Sequence, residues 1–220
     1  MGATIIGTGR MARGIATRLL AGGHDVTLMG RDPKKAADLA AELSSAAELS
    51  SPAKGGAVVH AATLGSPIAD DVVFLAIWYP AAAQVVQQYG AQLAGKVLVD
   101  ITNPLNASFD ELAVAADTSA AEEIAKLAPP GSRVIKAFNT TFARTLASGQ
   151  VGGYPLDVFI AGDDVKAKAT VAQLATDGGL RAIDVGPLRR ARQLEGMELL
   201  MMTLQRPMGT GYMSSLKILS

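Results

Sequence analysis

Short apolar runs alternate with longer amphipathic ones along the first hundred residues. ATIIG, AVVHA, DDVVFLAI and GKVLVDI hold consecutive apolar residues, ATIIG most plainly at the start, and HDVTLMG holds Val26, Leu28 and Met29. A strand with one wet face alternates, whereas a strand covered on both faces does not, so these runs predict buried parallel strands. Between the first two, Met11, Ile15, Leu19 and Leu20 fall on one helical face, and Gly22-Gly23 ends that helix. Pro33 to about Leu43 predicts a second helix, with Asp32 as N-cap and Pro33 in the first turn. Residues 44–56, rich in Ser, Ala and Gly, predict a loop with a short helical turn. Ala81 to Leu93 predicts a further helix.

Beyond TNPLN the rhythm loosens. Helices are predicted over 118–128, 163–176 and 190–204, and strands at SRVIKAF, DVFIAG and LRAIDVG. Regular strand–helix alternation specifies right-handed crossovers and an α/β fold: a Rossmann-type, doubly wound, mostly parallel sheet with a small C-terminal α+β lobe. The expected division is residues 1–138 for dinucleotide binding and 139–220 for an acceptor cleft and dimer contacts, with a soft boundary near Phe138 and no flexible linker.

Composition narrows the chemistry. The 220 residues are 49% apolar and 18% charged, as in a packed globular chain, and Lys+Arg and Asp+Glu balance at 20 each. With no global basic field, nucleic acid is not an expected partner. The chain lacks cysteine and has two histidines, so thiolate chemistry is excluded and no metal site is expected. The longest apolar stretch, VVFLAIWYPAAA, is too short to span a bilayer, and Met1 runs almost directly into the first strand; a cytoplasmic protein is expected. The apolar strip MELLMMTL (197–204) has more large side chains than one core face needs, which predicts a homodimer interface or the floor of a cleft.

GTGRMA fits G-x-G-x-x-G/A at Gly7, Gly9 and Ala12. The string alone is weak, but it follows a strand, opens a helix and begins a βαβ unit. Gly7 allows the tight turn, Gly9 lets backbone approach a pyrophosphate, and Ala12 permits close helix–strand packing. The free N–H groups of the first helical turn then face the anion. NAD enzymes place an acid about 20 residues beyond this turn, on the ribose hydroxyls. Here that position is Gly30, followed by Arg31, whose guanidinium suits a 2′-phosphate. Thr8 offers a hydroxyl and Lys35 a second positive charge, while Lys34 reads as a helix-surface charge. NADP(H) is the expected dinucleotide. The competing reading makes Asp32 the ribose acid, two places late.

A proton relay for alcohol chemistry is missing. None of Tyr79, Tyr89, Tyr154 or Tyr212 has a lysine four residues on, His24 reads as a surface or turn residue, and His60 reads as a strand residue. Hydride transfer between two redox cofactors needs no enzyme acid or base at the carbon centres; the protein supplies proximity and orientation. No catalytic side chain is therefore expected.

GTGRMARGIATRLLAGGHDVTL, GRDPKKA, LAGKVLVDITNPL, VIKAFNT, AGDDVKAK and, most specifically, DVGPLRRARQLE together resemble the NADPH-dependent reductases of coenzyme F420, over most of the chain. The resemblance implies hydride transfer between nicotinamide C4 and deazaflavin C5, with stacked rings. It implies a pyrophosphate cradle at Thr8, Gly9, Arg10, Met11 and Ala12, and a 2′-phosphate site at Arg31 and Lys35. Gly30 stands where the family often has serine, which removes one phosphate hydrogen bond. Ala76, Ile77, Trp78 and Asn103 would line the nicotinamide, although this chain reads Trp-Tyr-Pro where the related pattern is Pro-Trp. Pro104, Leu105 and Asn139 would lie at the acceptor, and Glu195 would orient its helix. The cofactor and acceptor positions follow strand C-termini, where open α/β sheets bind ligands. Other readings stay open: Trp78 and Tyr79 as caps on the core, Asn103-Pro104 as a turn, Asn139 as the N-cap of TTFARTLA, and Arg189, Arg190 and Arg192 as a solvated helix face or an attractor for an acidic acceptor tail. The family also includes relatives that reduce flavin or metal ions. A flavin, quinone, imine or metal acceptor is one alternative, and a non-catalytic NADP sensor another.

Overall fold

The computed structural model describes residues 1–49 and 56–219. Its strands are β1 (Gly2–Ile6), β2 (Asp25–Gly30), β3 (Val59–Thr63), β4 (Val72–Leu75), β5 (Val97–Asp100), β6 (Arg133–Lys136), β7 (Gln150–Val151), β8 (Tyr154–Pro155), β9 (Asp157–Gly162) and β10 (Arg181–Gly186). The helices are α1 (Arg10–Ala21), α2 (Pro33–Leu49), α3 (Tyr79–Tyr89), α4 (Ala120–Leu127), α5 (Ala143–Ser148), α6 (Val165–Asp177) and α7 (Ala191–Met208). Eight strands form one sheet in the order β3-β2-β1-β4-β5-β6-β9-β10, and β7 and β8 make a separate hairpin.

The first six strands are mutually parallel. Their order reverses between β1 and β4, and the crevice outside such a switch point is where doubly wound sheets bind ligands. β9 joins β6 antiparallel, and β10 then lies parallel to β9. Every residue of β4, β5 and β9 is buried, as their continuous apolar runs require, while β3 is an edge strand with His60 exposed. Ile5, Leu28, Phe74, Val99 and Ile135 form one core layer with α1 and α6; Ile6, Met29, Val73, Leu75 and Leu98 form the other with α3 and α4. Leu194 and Met197 of α7 pack over Phe159, Ala161, Ile183 and Val185 of the last two strands.

Several local expectations shift. α2 continues to Leu49 because Ala and Glu sustain a helix past Leu43. The predicted loop at 44–56 is therefore helical over its first part, and positions 50–55 lie outside the described residues. Helix α5 and the β7–β8 hairpin follow β6 where the sequence suggested at most a capped helix; Gly14 leaves α1 flat enough for Ala143 and Leu146 of α5 to pack against it. His24 is buried, with Nε2 2.9 Å from Asp177 Oδ2 at the end of α6, not a surface residue. Among the described residues, no group of His, Cys, Asp or Glu could hold a metal ion, and no helix is long and apolar enough to cross a membrane.

Candidate functional site

The ends of three strands meet at the glycine turn. Gly7 N–H donates to Met29 O at 2.8 Å, and Ala76 N–H donates to Ile6 O at 2.9 Å. Gly7 has a φ of 132°, and a Cβ there would overlap the Ala76 carbonyl oxygen, so the tight turn and the close approach of β4 both demand glycine. Gly9 is the N-cap of α1, extended and without a capping side chain, and nothing lies within 4 Å of where its Cβ would stand. The first turn of α1 has no acidic residue. Arg10, Met11 and Ala12 therefore present N–H groups with no helical acceptor, beside open space and at the positive end of a dipole. Ala12 is fully buried against the sheet, Met11 packs on the core, and Arg10 is exposed. A pyrophosphate fits this cradle.

The end of β2 separates the two candidate ribose residues. Asp32 Oδ1 accepts from Lys34 N–H at 2.9 Å and from Lys35 N–H at 3.3 Å, so its carboxylate caps α2. Lys34 pairs with Asp38 at 2.7 Å along the helix surface. Arg31 is exposed, and neither it nor the Lys35 ammonium has an ion-pair partner among the described residues. A Cβ on Gly30 would stand 2.7 Å from the Thr8 methyl, so glycine here admits Thr8 to the crevice floor.

On the other side of the switch point, Ala76 is buried and Ile77 is half-buried against the core. Trp78, the N-cap of α3, is 70% exposed, with its ring centroid 6.1 Å from that of Phe109; it does not cap the core. Asn139 Nδ2 donates to Asn103 Oδ1 at 2.9 Å, and Asn103 Nδ2 donates to Asn139 O at 3.0 Å. Asn139 Nδ2 also donates to Leu194 O at 3.1 Å. The N-cap of α5 is Phe142, so Asn139 is not that helix's cap. Pro104 is buried and its carbonyl accepts from Ala113 N–H; Leu105 turns back toward Asn103 O at 2.9 Å and bridges Leu112.

Behind the asparagines lies a charged cluster that sequence reasoning missed. Lys136 is wholly buried, and its ammonium donates to Asp100 Oδ2 at 2.8 Å, Glu195 Oε1 at 2.7 Å and Thr102 O at 2.5 Å. Burial alone would lower its pKa, but the two carboxylates outweigh that and raise it. The register of β5 and β6 sets Asp100 opposite Lys136, a pairing visible only once the strands are adjacent. Glu195 Oε2 also accepts from Ala120 N–H at 3.0 Å, so it fixes α7 to the start of α4. Arg192 is held by Glu122 through two bonds of 2.8 and 2.6 Å, which removes it from the expected basic patch and leaves Arg189 and Arg190 exposed. Further along α7, Glu198 is buried with Oε2 unpartnered, and burial pushes its carboxyl up to about 8.

Residues 3–104 match the family described as NADP oxidoreductase, coenzyme F420-dependent. The F420-dependent NADP reductase of Methanothermobacter marburgensis is 32% identical over 209 residues, covering 92% of this chain and 91% of that protein. The rat metalloreductase STEAP3 is 33% identical over 195 residues, covering 89% of this chain, which spans 36% of STEAP3's length. A crystal structure from Arthrobacter sp. FB24, provisionally described as an F420-dependent NADP-reductase, superimposes with a TM-score of 0.81 at 29% identity over 99% of both chains. The chain is an NADP-dependent oxidoreductase and belongs to the family of coenzyme F420-dependent NADP reductases.

Proposed function

We propose that this protein transfers hydride between NADP(H) and a deazaflavin of the coenzyme F420 type. When both are bound, the nicotinamide and the deazaflavin supply the donor and acceptor carbons; the chain holds the two rings together and keeps water out. Gly7, Thr8, Gly9, Arg10, Met11 and Ala12 hold the pyrophosphate through the N-terminus of α1. Arg31 and Lys35 hold the 2′-phosphate, with Gly30 leaving room for Thr8 beneath it. Ala76, Ile77, Trp78 and Asn103 line the nicotinamide, and Pro104, Leu105 and Asn139 border the acceptor. Residues 1–138 carry the dinucleotide and residues 139–220 close the acceptor side. We read the protein as a cytoplasmic homodimer, with the exposed Leu200 and Met208 of α7 at the dimer contact.

One observation carries the acceptor assignment. The likeness to the Methanothermobacter reductase runs through nearly the whole chain, well past residue 104, and so takes in the acceptor side as well as the dinucleotide turn. The comparable identity to STEAP3 favours a second reading, in which a flavin or metal ion takes the electrons. Anaerobic steady-state oxidation of NADPH with F420, FMN, FAD and a ferric chelate in parallel separates the two. Turnover with F420 well above the others supports the first reading. Turnover confined to flavin or iron overturns it.

A further inference from the structure

Pro104 and Leu105, assigned to the acceptor border, run on into a hairpin with Phe109 in its tip. Leu105 bridges Leu112, Asn106 N–H donates to Glu111 O at 3.0 Å, and Ala113 N–H donates to Pro104 O, so the arms are closed. The Asn106 side chain holds the turn. Its Oδ1 accepts from the N–H groups of Asp110 at 3.1 Å and Glu111 at 3.4 Å, and its Nδ2 donates to Asp110 Oδ1 at 2.7 Å. Phe109 N–H donates to Asn106 O at 3.2 Å, and Phe109 has a φ of 61°. That left-handed conformation is ordinarily left to glycine or asparagine and is unfavourable for a bulky side chain. A phenylalanine held there against its own backbone preference points to a use for the ring.

The ring meets Trp78, with centroids 6.1 Å apart and planes inclined at 55°. Trp78 stands two residues beyond Ala76, whose carbonyl oxygen packs directly on Gly7 of the glycine turn. The pair therefore joins the segments that follow β4 and β5, at the sheet edge where open α/β folds bind ligands. Neither side chain is buried: Trp78 is 70% exposed and Phe109 39%. Aromatic side chains carry a large apolar surface that folding normally covers, and here two are held together with much of both open to solvent. Asp110 and Glu111 follow Phe109 in the chain, both exposed. Aromatic surface beside two carboxylates repels an anionic metal chelate and suits a flat conjugated ring.

We propose that Phe109 is a specificity-determining residue of the acceptor site: with Trp78 it forms a two-ring platform on which the flat ring of the acceptor stacks. This rests on the reading of the acceptor as a deazaflavin. Trp78 borders the nicotinamide, and Phe109 extends that wall to the acceptor. Offset or tilted packing of rings with centroids about 4.5–7 Å apart stabilises a complex beyond the area it buries. The interaction is noncovalent and tolerates changes at the ring edge, so a flavin ring uses the same platform. A compact ferric chelate has no flat face to lay on it. Asn106 is a positioning residue, because it acts through the backbone that carries Phe109.

The test compares wild type, Phe109→Gly and Phe109→Tyr. Glycine adopts a φ of 61° freely, so Phe109→Gly keeps the hairpin and removes the ring, whereas Phe109→Tyr keeps a ring. Binding of oxidised F420 is titrated through its own fluorescence with NADP+ saturating, so that no hydride moves. KM and kcat are measured anaerobically with NADPH and F420, FMN or a ferric chelate. Phe109→Gly should weaken F420 about 10-fold in both Kd and KM, and change kcat and NADPH affinity by less than about twofold. Phe109→Tyr should recover most of the loss. FMN should follow F420, and turnover with the ferric chelate should not. Equal F420 affinity in wild type and Phe109→Gly overturns the proposal. So does an equal loss of NADPH affinity, or no recovery with tyrosine. A wild type that binds NADPH but neither binds nor reduces F420 or a flavin overturns the function reading as well; one that reduces F420 with the same KM as Phe109→Gly overturns this inference alone.

Discussion

The side chains of Asn103 and Asn139 hold each other across the ends of β5 and β6. Asn139 gives its amide protons to Asn103 Oδ1 and to Leu194 O, and Asn103 returns one to the Asn139 carbonyl. Three segments distant in sequence are thereby fixed together, on what the proposed function makes the acceptor side. Replacing Asn139 by Leu keeps the volume and removes the donors, which leaves Asn103 Oδ1 and Leu194 O without them. We expect a stability loss of about 1–3 kcal/mol in urea unfolding, a raised KM for the acceptor and an unchanged affinity for NADPH. A variant that weakens NADPH and acceptor equally would place the pair outside the acceptor site.

On the proposed reading, Arg31 carries the choice of dinucleotide. Asp32 is occupied as the cap of α2, so the charges left for the expected ribose position among the described residues are the Arg31 guanidinium and the Lys35 ammonium. Arg31→Ala should weaken NADPH by about 10–100-fold, the worth of one or two charge-assisted hydrogen bonds, and leave NADH almost unchanged. Titration of both dinucleotides by fluorescence checks this, and equal losses for the two would remove Arg31 from the 2′-phosphate.

Thr8 and Gly30 should act as one unit. A serine at position 30 puts Cβ 2.7 Å from the Thr8 methyl, closer than the two atoms can sit. Gly30→Ser alone should weaken NADPH, and adding Thr8→Ser, which deletes that methyl, should restore most of the loss. A double-mutant cycle with no coupling would contradict the contact.

The extent to which these features could be read from the sequence follows their locality. The glycine turn, the Asp32 cap and the first strands are written in contiguous residues, and each lies where its pattern places it. What escaped depends on pairing. A lysine at the end of SRVIKAF looks like a solvent-facing charge until β6 sets it beside Asp100 and α7 brings Glu195 down on it. Glu198 reads as one polar residue in an apolar strip until α7 lies on the loop after β6. The antiparallel entry of β9 leaves no mark in DVFIAG, because a fully buried strand is apolar in either direction.

The Lys136 cluster should dominate local stability. Lys136→Met leaves two buried carboxylates facing each other and should cost about 3–5 kcal/mol. Because the folded pKa of Lys136 is raised, its contribution is complete below 10.5 and is lost as pH climbs through the higher folded value. Urea unfolding from neutral to alkaline pH should therefore show the gap between wild type and variant narrowing only above pH 10.5. Narrowing near neutrality would contradict a charged ammonium in that core.

Glu198 should leave an opposite signature. Its folded pKa of about 8 lies above the ordinary 4.5, so the folded state binds the extra proton, and its contribution is lost as pH rises from the lower value to the higher. Glu198→Gln, which cannot ionise, should gain stability relative to wild type across that window and stay parallel to it above. Thermal unfolding of both proteins across the same range measures this, and a constant difference would contradict a buried, neutral carboxyl.

The central claim is direct passage of hydride from the nicotinamide to a ring carbon of the acceptor. It is tested most directly by an anaerobic single turnover with NADPH deuterated at C4, prepared as each stereoisomer, and F420 as acceptor. The account predicts that one stereoisomer delivers its deuterium to the reduced deazaflavin with a primary isotope effect, while the other retains it on the oxidised nicotinamide. Deuterium released to solvent from both, or no reduction of F420 while NADPH binds, would contradict it.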